Sequence, residues 1–233
     1  MLVIPAVDIQ NGRAVRLFEG DPERETVYFE DPVEAAVYWQ SQGARMLHLV
    51  DLDAATGRGE NRKTIRRIAE STKAPFEVGG GVRSLEAARE ILALGAARVV
   101  VGTIAVKAPG VLSAMLEEFG QKKIVVSLDA KGTEVVVAGW QEGTHLDARG
   151  LAKELWSRGV RTLIYTDVRR DGTLRGLDLE AVNQIRQAWP GYLIAGGGIA
   201  SDRDIEGLKK LKVEGAITGK ALYEGRIDLT RWV

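Results

Sequence analysis

The sequence repeats its most distinctive landmarks at a nearly constant spacing. The glycine run at 79–81 recurs at 196–198, and the pair Gly102-Thr103 recurs as Gly219-Lys220, so both offsets are 117 residues (196 − 79 and 219 − 102). A unit of this length is too long for a solenoid repeat and too short for a separate barrel. It suits half of an eight-stranded barrel that closes by pairing with its copy.

Short runs rich in β-branched residues alternate with amphipathic segments along the chain. The eight runs lie at 2–7, 46–52, 75–80, 97–103, 123–130, 162–168, 192–198 and 215–220. The amphipathic segments at 31–43, 84–95, 147–159 and 201–211 each begin at an Asp or Ser, as helices with a side-chain cap do. Strand followed by helix, repeated, predicts parallel βα units.

We therefore predict the α/β class and a (β/α)₈ TIM barrel built from two duplicated half-barrels. The halves would span about 1–118 and 119–233 within a single domain, 1–233. An open doubly wound sheet also alternates strands and helices and is the alternative fold. The internal repeat favours the closed barrel.

Composition excludes several classes of function. Lys plus Arg and Asp plus Glu both number 32, so no net positive charge attracts nucleic acid, and there are no cysteines for disulfides or thiolate chemistry. No run approaches the roughly 20 apolar residues of a membrane span, and the N-terminus lacks a secretory signal. We expect a cytoplasmic monomer that needs no metal, cofactor, membrane or obligate protein partner. Neither His48 nor His145 has neighbours that suggest a zinc site.

Four aspartates end apolar strands, which is where barrel enzymes place their active sites. Asp8 and Asp129 end strands one and five, which face each other across the barrel, so we predict that they form an acid/base pair. Asp51 and Asp167 end strands two and six and are predicted to bind or orient the ligand. A strand-end Asp also commonly caps the following turn, and that alternative stays open for each of them.

The glycine runs predict two phosphate sites, because small residues at strand ends let backbone N–H groups approach an anion. The first cup comprises Gly80 and Gly81 with Gly102 and Thr103, and the second Gly197 and Gly198 with Gly219 and Lys220. Backbone crowding is the alternative explanation for either run. Two opposed cups predict a small-molecule ligand with a phosphate at each end, a bisphosphate.

Further residues are predicted to contact this ligand. Arg16 and Arg83 are also predicted to bind the ligand. Trp140 is a candidate to stack on a planar heterocycle, and simple packing within its loop is the alternative. Thr166 ends strand six and is predicted to bind substrate or to position Asp129. The polar loop at 169–173 is predicted to close over the ligand, whereas His48, within strand two, is expected to have a supporting role.

Motifs at the barrel termini carry a family resemblance that covers essentially the whole chain. They are IPAVDIQNGRAVRLFEGD, HLVDLDAATGRGENR, VGGGVRS, SLDAKG, YTDVRRDGTLRGLD, AGGGIAS and GAITGKALYEG. Together they resemble the phosphoribosylformimino-aminoimidazole carboxamide ribotide isomerases, which catalyse the fourth step of histidine biosynthesis. The resemblance implies a two-half barrel and a cofactor-free Amadori rearrangement of an aminoaldose to an aminoketose, an intramolecular oxidoreduction.

The resemblance also implies roles for individual residues. The base of the family falls on Asp8, its acid on Asp129 and its supporting threonine on Thr166, and the two glycine cups match its phosphate sites. In this scheme Asp129 protonates the ring oxygen and Asp8 removes the proton at C2′ beside the resulting imine. A heterocycle between the phosphates fits the stacking role predicted for Trp140.

Three alternative functions remain. The related cyclase of the same pathway has a functional lysine eight residues after its first Asp, where this chain has Arg16. The isomerase of tryptophan synthesis uses a cysteine as base, and this chain has none, but an enzyme that also accepts phosphoribosyl anthranilate remains open. The third alternative is a barrel that binds phosphorylated metabolites without converting them, which retention of both aspartates disfavours.

Overall fold

Eight parallel strands close into a barrel in the computed structural model, which describes residues 1–140 and 142–233. The barrel strands are β1 (Leu2–Gln10), β4 (Leu47–Asp51), β5 (Phe76–Gly79), β6 (Arg98–Val101), β7 (Ile124–Lys131), β10 (Thr162–Asp167), β11 (Tyr192–Gly196) and β12 (Gly215–Thr218). Pairing of β12 with β1 joins the chain ends, and pairing of β7 with β10 completes the ring. The predicted (β/α)₈ barrel is confirmed, and each barrel strand lies within or beside a predicted run.

Two antiparallel ribbons extend the barrel at equivalent places. In the first, β1 continues into β2 (Arg13–Phe18) and β3 (Asp21–Phe29), and in the second β7 continues into β8 (Glu134–Val137) and β9 (Glu142–Asp147). The strands β2, β3, β8 and β9 lie outside the eight predicted runs. Both ribbons stand at the carboxyl end of the barrel, where the predicted site lies.

Helices surround the barrel. They are α1 (Pro32–Ser41), α2 (Leu52–Thr56), α3 (Arg62–Ser71), α4 (Leu85–Ala93), α5 (Thr103–Lys107), α6 (Pro109–Phe119), α7 (Ala148–Ser157), α8 (Leu179–Ala188), α9 (Asp202–Lys210) and α10 (Lys220–Tyr223), followed by a 3-10 turn at Leu229–Arg231. The predicted caps form: the side chains of Asp31, Ser84 and Asp147 accept hydrogen bonds from backbone N–H groups in the first turns of α1, α4 and α7. None of the helices in the described residues is long and apolar enough to cross a membrane.

The hydrophobic core has two parts, separated by the strands. The larger part lies between strands and helices, and a smaller cluster of Ile4, Val100, Val125, Ile164 and Ile194 fills the barrel interior. Side chains alternate along each strand, so the residues that follow this inner cluster toward the carboxyl end also point inward. The inner cluster therefore forms an apolar floor beneath the site.

Equivalent contacts recur in the two halves of the chain. A Cβ on Gly80 would lie 2.2 Å from the carbonyl oxygen of Asp51, and a Cβ on Gly197 would lie 2.5 Å from that of Asp167. Both glycines also have positive φ angles, +94° and +79°, which side chains disfavour. The recurrence supports the predicted duplication, although the division near residue 118 stays a prediction.

Candidate active site

A single pocket at the carboxyl ends of the barrel strands collects most of the predicted site residues. Its lining includes Asp8, Arg16, Gly80, Gly81, Arg83, Gly102, Thr103, Asp129, Trp140, Thr166, Gly197, Gly198, Gly219 and Lys220. Asp51 and Asp167 do not line it. The structure thus brings the predicted acid/base pair and both glycine cups to one cavity.

Asp8 is buried, 8% exposed, and has a cationic partner. Its Oδ2 accepts a hydrogen bond of 2.7 Å from Nη1 of Arg16, and Nη2 of Arg16 lies 3.3 Å from Asp171 Oδ1. Burial raises the pKa of Asp8 above its usual value, the Arg16 charge offsets part of that rise, and the negative charge of Asp171 adds to it. The permanently charged guanidinium stabilises the ionised form of Asp8, the form that a base requires.

Asp129 is held by neutral donors instead. Ser127 Oγ donates to Oδ1 and Trp140 Nε1 donates to Oδ2, both at 2.7 Å. Thr166, which pairs with Asp129 across β7 and β10, also acts to lower the pKa of Asp129. Burial raises the pKa of Asp129, and these hydrogen bonds offset only part of the rise. Without a bonded cation, Asp129 is the carboxyl better suited to keep a proton and act as an acid.

Trp140 occupies the position between the two ribbons. Besides its bond to Asp129, its ring packs so closely on the β2–β3 turn that a Cβ on Gly20 would lie 2.2 Å from Trp140 Cε3. Gly172, in the loop at 169–173, approaches the same ribbon, because its Cβ would lie 2.2 Å from the carbonyl oxygen of Leu17. The predicted closing loop and the predicted stacking residue therefore cover the same side of the pocket, whereas stacking on a ligand stays a prediction.

The two glycine cups have the same backbone geometry. Gly102, before α5, has φ −118° and ψ −82°, and Gly219, before α10, has φ −118° and ψ −89°. In the second cup a Cβ on Gly219 would lie 2.6 Å from Nε of Arg16, and that Nε is buried without a hydrogen-bond partner among the described residues. The unpartnered donor beside Gly219 is available to an anion.

Besides Arg16, which lies beside Gly219 in the second cup, each cup has a cation of its own, and the two come from different positions. Arg83 lines the first cup, where its Nη2 donates to the carbonyl oxygen of Ala55 at 3.0 Å, and Lys220 lines the second. At the offset of the repeat, Arg83 corresponds to Ala200 and Lys220 corresponds to Thr103. The cups therefore share a backbone but differ in where the positive charge enters.

Asp51 and Asp167 support loops instead of facing the cavity. Asp51 accepts hydrogen bonds from the backbone N–H of Ala54 and from both the backbone and side-chain N–H groups of Asn61, at 2.7–3.0 Å. Asp167 accepts from the backbone N–H of Arg169 at 3.1 Å. These bonds agree with the capping alternative, and they fix the turns on which Gly80 and Gly197 pack.

Several polar residues of the pocket, among them His48, Ser127 and Asp171, were not among the predicted site residues. Ser127 precedes Asp129 by two residues, so strand alternation alone places both side chains on the same face. Asp171 belongs to the predicted closing loop, but its ion pair with Arg16 depends on tertiary contact between distant segments. His48 was given only a supporting role.

The described residues do not form a metal site. Residues 1–140 and 142–233 contain no group of three or more His, Asp or Glu side chains arranged to hold a metal ion. Zinc sites require three or four such ligands. The expectation of a metal-free and cofactor-free reaction stays a prediction.

Comparison with known proteins gives a consistent result. The family model described as "Histidine biosynthesis protein" matches residues 2–228. A protein of Thermus thermophilus named 1-(5-phosphoribosyl)-5-((5-phosphoribosylamino)methylideneamino) imidazole-4-carboxamide isomerase is 60% identical over 229 residues, which are 98% of this chain and 97% of the relative. Proteins of the same name from Deinococcus radiodurans and Halothermothrix orenii are 54% and 43% identical, over 97% and 98% of this chain and 94% and 97% of their own lengths. Since the match runs through nearly every barrel element, the chain belongs to the histidine biosynthesis protein family.

Proposed function

We propose that this chain is an aminoaldose-ketose isomerase of histidine biosynthesis. It would convert the phosphoribosylformimino aminoimidazole carboxamide ribotide to its phosphoribulosyl form by an Amadori rearrangement. The observation that carries the proposal is the arrangement of Asp8 and Asp129 in one pocket, with a cationic partner only on Asp8, between two glycine cups. The names of the relatives, which contain two phosphoribosyl groups, agree with a ligand that has two phosphates.

The reaction begins at the ring oxygen of the sugar. A protonated Asp129 donates its proton there, the C1′–O bond breaks, and the neighbouring nitrogen becomes a protonated imine. The ionised Asp8 then removes the proton from C2′, and the imine accepts the electron pair, giving an enolamine. Because the substrate supplies its own electron sink, these steps need no cofactor.

Binding depends on the two cups. The phosphates would lie against Gly80, Gly81 and Gly102 at one end and against Gly197, Gly198 and Gly219 at the other, where backbone N–H groups are accessible. Arg83 and Lys220 would add charge at each end, and Arg16 Nε would gain a partner. Holding both ends fixes C1′ and C2′ between the aspartates, which lowers the entropic part of the barrier.

Turnover of the purified protein on the histidine-pathway aminoaldose tests the proposal. The assay contains a chelator and is run beside phosphoribosyl anthranilate. Conversion of the first substrate alone is expected. Conversion of both would make the protein a dual isomerase, and conversion of neither by folded protein would refute the isomerase and leave the cyclase or a binding barrel.

The molecular setting is part of the proposal. We propose that the enzyme works as a cytoplasmic monomer without an obligate protein partner. Light scattering is expected to give the mass of one 25.3 kDa chain at assay concentrations. A mass of two chains, or a specific activity that rises with protein concentration, would contradict the proposed monomer.

A further inference from the structure

A row of ionisable side chains runs through the barrel interior beneath the pocket. His48 Nδ1 lies 2.7 Å from Oε1 of Glu77, and Oε2 of Glu77 lies 2.7 Å from Nη2 of Arg98. Glu77 is 0% exposed, and the three residues come from the neighbouring strands β4, β5 and β6. His48 lines the pocket, whereas Glu77 and Arg98 do not.

The other half of the barrel fills the corresponding positions without any charge. At the offsets of the repeat, His48 corresponds to Ile164, Glu77 to Ile194 and Arg98 to Gly215, and both isoleucines belong to the inner apolar cluster. Buried ion pairs generally cost as much in lost hydration as they gain by attraction. Since the same fold packs this layer with isoleucine in its other half, packing does not require His48 and Glu77.

The row determines which nitrogen of His48 carries hydrogen. Burial works to raise the pKa of Glu77, but the hydrogen bond of His48, the charge of its protonated form and the charge of Arg98 outweigh it and hold that pKa below its usual value. When His48 is neutral, the permanently charged Arg98 remains 2.7 Å from Glu77 Oε2 and favours the carboxylate. An ionised carboxylate only accepts hydrogen bonds, so Nδ1 of His48 is the donor. A neutral ring then has its lone pair on Nε2, which has no hydrogen bond to any described residue.

Strand register places that ring beside Asp8. In the pairing of β1 with β4, His48 stands opposite Ala6, and Asp8 stands opposite Val50. Asp8 and His48 thus come from adjacent strands, one inward-facing position apart along the barrel axis. A group that flanks Asp8 in this way is close to the substituents of the carbon from which Asp8 takes a proton.

We propose that His48 is a third catalytic residue, whose Nε2 accepts the proton of the C2′ hydroxyl when the enolamine becomes the ketone, and that Glu77 is its positioning residue. This inference rests on the proposed isomerase function and extends it to the last step. Asp8 at this stage returns its own proton to the substrate. Asp129 is ionised after ring opening, but each of its oxygens already accepts a hydrogen bond, from Ser127 or from Trp140, which leaves His48 as the better-placed acceptor.

The step balances. The proton on Asp8 moves to C1′, the C1′=C2′ pair forms the new C1′–H bond, and the O–H pair of the C2′ hydroxyl becomes the second bond of the C2′=O group. The released proton forms an Nε2–H bond on His48, and the carboxylate of Glu77 stabilises the resulting imidazolium. When product leaves, that proton returns through solvent to Asp129, which lost one when the ring opened, so no oxidant or reductant is needed.

Nitrogen NMR tests the tautomer without reference to activity. The chain has only two histidines, and the His145 side chain is 96% exposed, so it serves as an internal reference. Long-range ¹H–¹⁵N spectra above neutral pH are expected to show His48 with hydrogen on Nδ1. The exposed His145, whose Nδ1 lies 3.3 Å from Oε1 of the half-exposed Glu134, is expected to show a larger share of hydrogen on Nε2. In Glu77→Gln the Nδ1–H fraction of His48 is expected to fall. Hydrogen on Nε2 of His48 in the unmodified protein would overturn the inference.

Kinetics test the catalytic step. His48→Asn keeps a donor where Nδ1 meets Glu77 but lacks Nε2, so kcat should fall about 100-fold while KM changes less than about threefold. Glu77→Gln should lower kcat about tenfold, and the control His145→Asn should leave kcat unchanged. His48→Gln, which keeps a polar group near Nε2 but loses the link to Glu77, provides a second variant if His48→Asn does not fold.

The outcomes separate this inference from the proposed function. If the unmodified protein does not convert the aminoaldose, the isomerase proposal fails, and the tautomer measurement still reports on His48 and Glu77. If the unmodified protein is active and folded His48→Asn or His48→Gln retains its kcat, the role of His48 is refuted. A rise in KM with unchanged kcat would equally refute it, because that pattern indicates ground-state binding alone.

Discussion

Asp8 and Asp129 occupy equivalent places in the two halves of the barrel, yet their partners differ. Arg16 binds Asp8, whereas Ser127 and Trp140 donate to Asp129. Burial raises the pKa of both carboxyls, but the cation beside Asp8 favours its ionised form, whereas the neutral donors around Asp129 suit a carboxyl that keeps its proton, which is the division that acid/base pairs require. The strand-end rule predicted the aspartates from the sequence. It did not predict Ser127, His48 or Asp171 as pocket residues, because their roles depend on contacts between separate strands and loops.

Removing either carboxylate is expected to stop the reaction. Asp8→Asn cannot take the C2′ proton and Asp129→Asn cannot give one to the ring oxygen, so each variant should lose about 10³-fold in kcat. Steady-state assays on the aminoaldose, with circular dichroism as the check on folding, measure this. A folded variant with the unmodified rate would exclude that aspartate from the mechanism.

The same two substitutions are expected to change stability in opposite directions. The pKa of Asp129 is raised in the folded state, so that state binds more protons than the unfolded chain, and stability falls as pH rises from the usual value through the raised one. Asp129→Asn should therefore be more stable than the unmodified protein at pH 8, by on the order of 1 kcal/mol, and lose this advantage in acid.

The pKa of Asp8 is raised as well, but Asp8→Asn leaves the buried Arg16 with Asp171 alone. We expect this unpaired charge to outweigh the gain, so that the variant loses about 3 kcal/mol. Urea unfolding of both variants at pH 8 and pH 4 gives the comparison. If both variants gain the same free energy of unfolding at pH 8, then loss of the Asp8 partner of Arg16 does not destabilise the fold.

At the scale of elements, the sequence predicts the barrel strands because each is an apolar run of the right length, and it predicts helix starts because their caps are Asp or Ser. The sequence does not predict the strands β3 and β9, because their segments lack such an apolar run. The β9 segment EGTHLD is exposed along most of its length, and the β3 segment DPERETVYF begins with charged residues. Both form strands through their partners at the barrel rim: β3 pairs with β2, and β9 pairs with β8.

The turn after β5 gives a test of the glycine cups. Gly80→Ala meets both a positive φ and the Asp51 carbonyl, whereas Gly95→Ala has a similar φ of +97° with open space around its Cβ. Gly95→Ala should cost about 1 to 2 kcal/mol from backbone strain. Gly80→Ala should cost a further 1 to 3 kcal/mol, roughly, from the clash. Urea unfolding measures both, and equal losses would mean that the close approach to Asp51 is easily relieved.

At the scale of the whole molecule, a phosphate in either cup binds the closed barrel and not the unfolded chain. Inorganic phosphate at ten times its dissociation constant should therefore add about 1.4 kcal/mol to the free energy of unfolding and act as a competitive inhibitor. Lys220→Met should weaken both effects, whereas Lys210→Met, on exposed α9, should not. A KM that does not change at high phosphate, or equal responses in the two variants, would count against the second cup.

The different origins of the two cations, Arg83 in one cup and Lys220 in the other, bear on the direction in which a ligand enters. A receptor with perfect twofold symmetry would accept a rod-like molecule with two similar ends in either sense, and half of all encounters would place its reactive carbons beside the wrong aspartate. The guanidinium of Arg83 at one end, and the ammonium of Lys220 together with the guanidinium of Arg16 at the other, make the two senses unequal in energy. Differences between the two halves at a few positions thus give an otherwise nearly symmetric binding site two unlike ends.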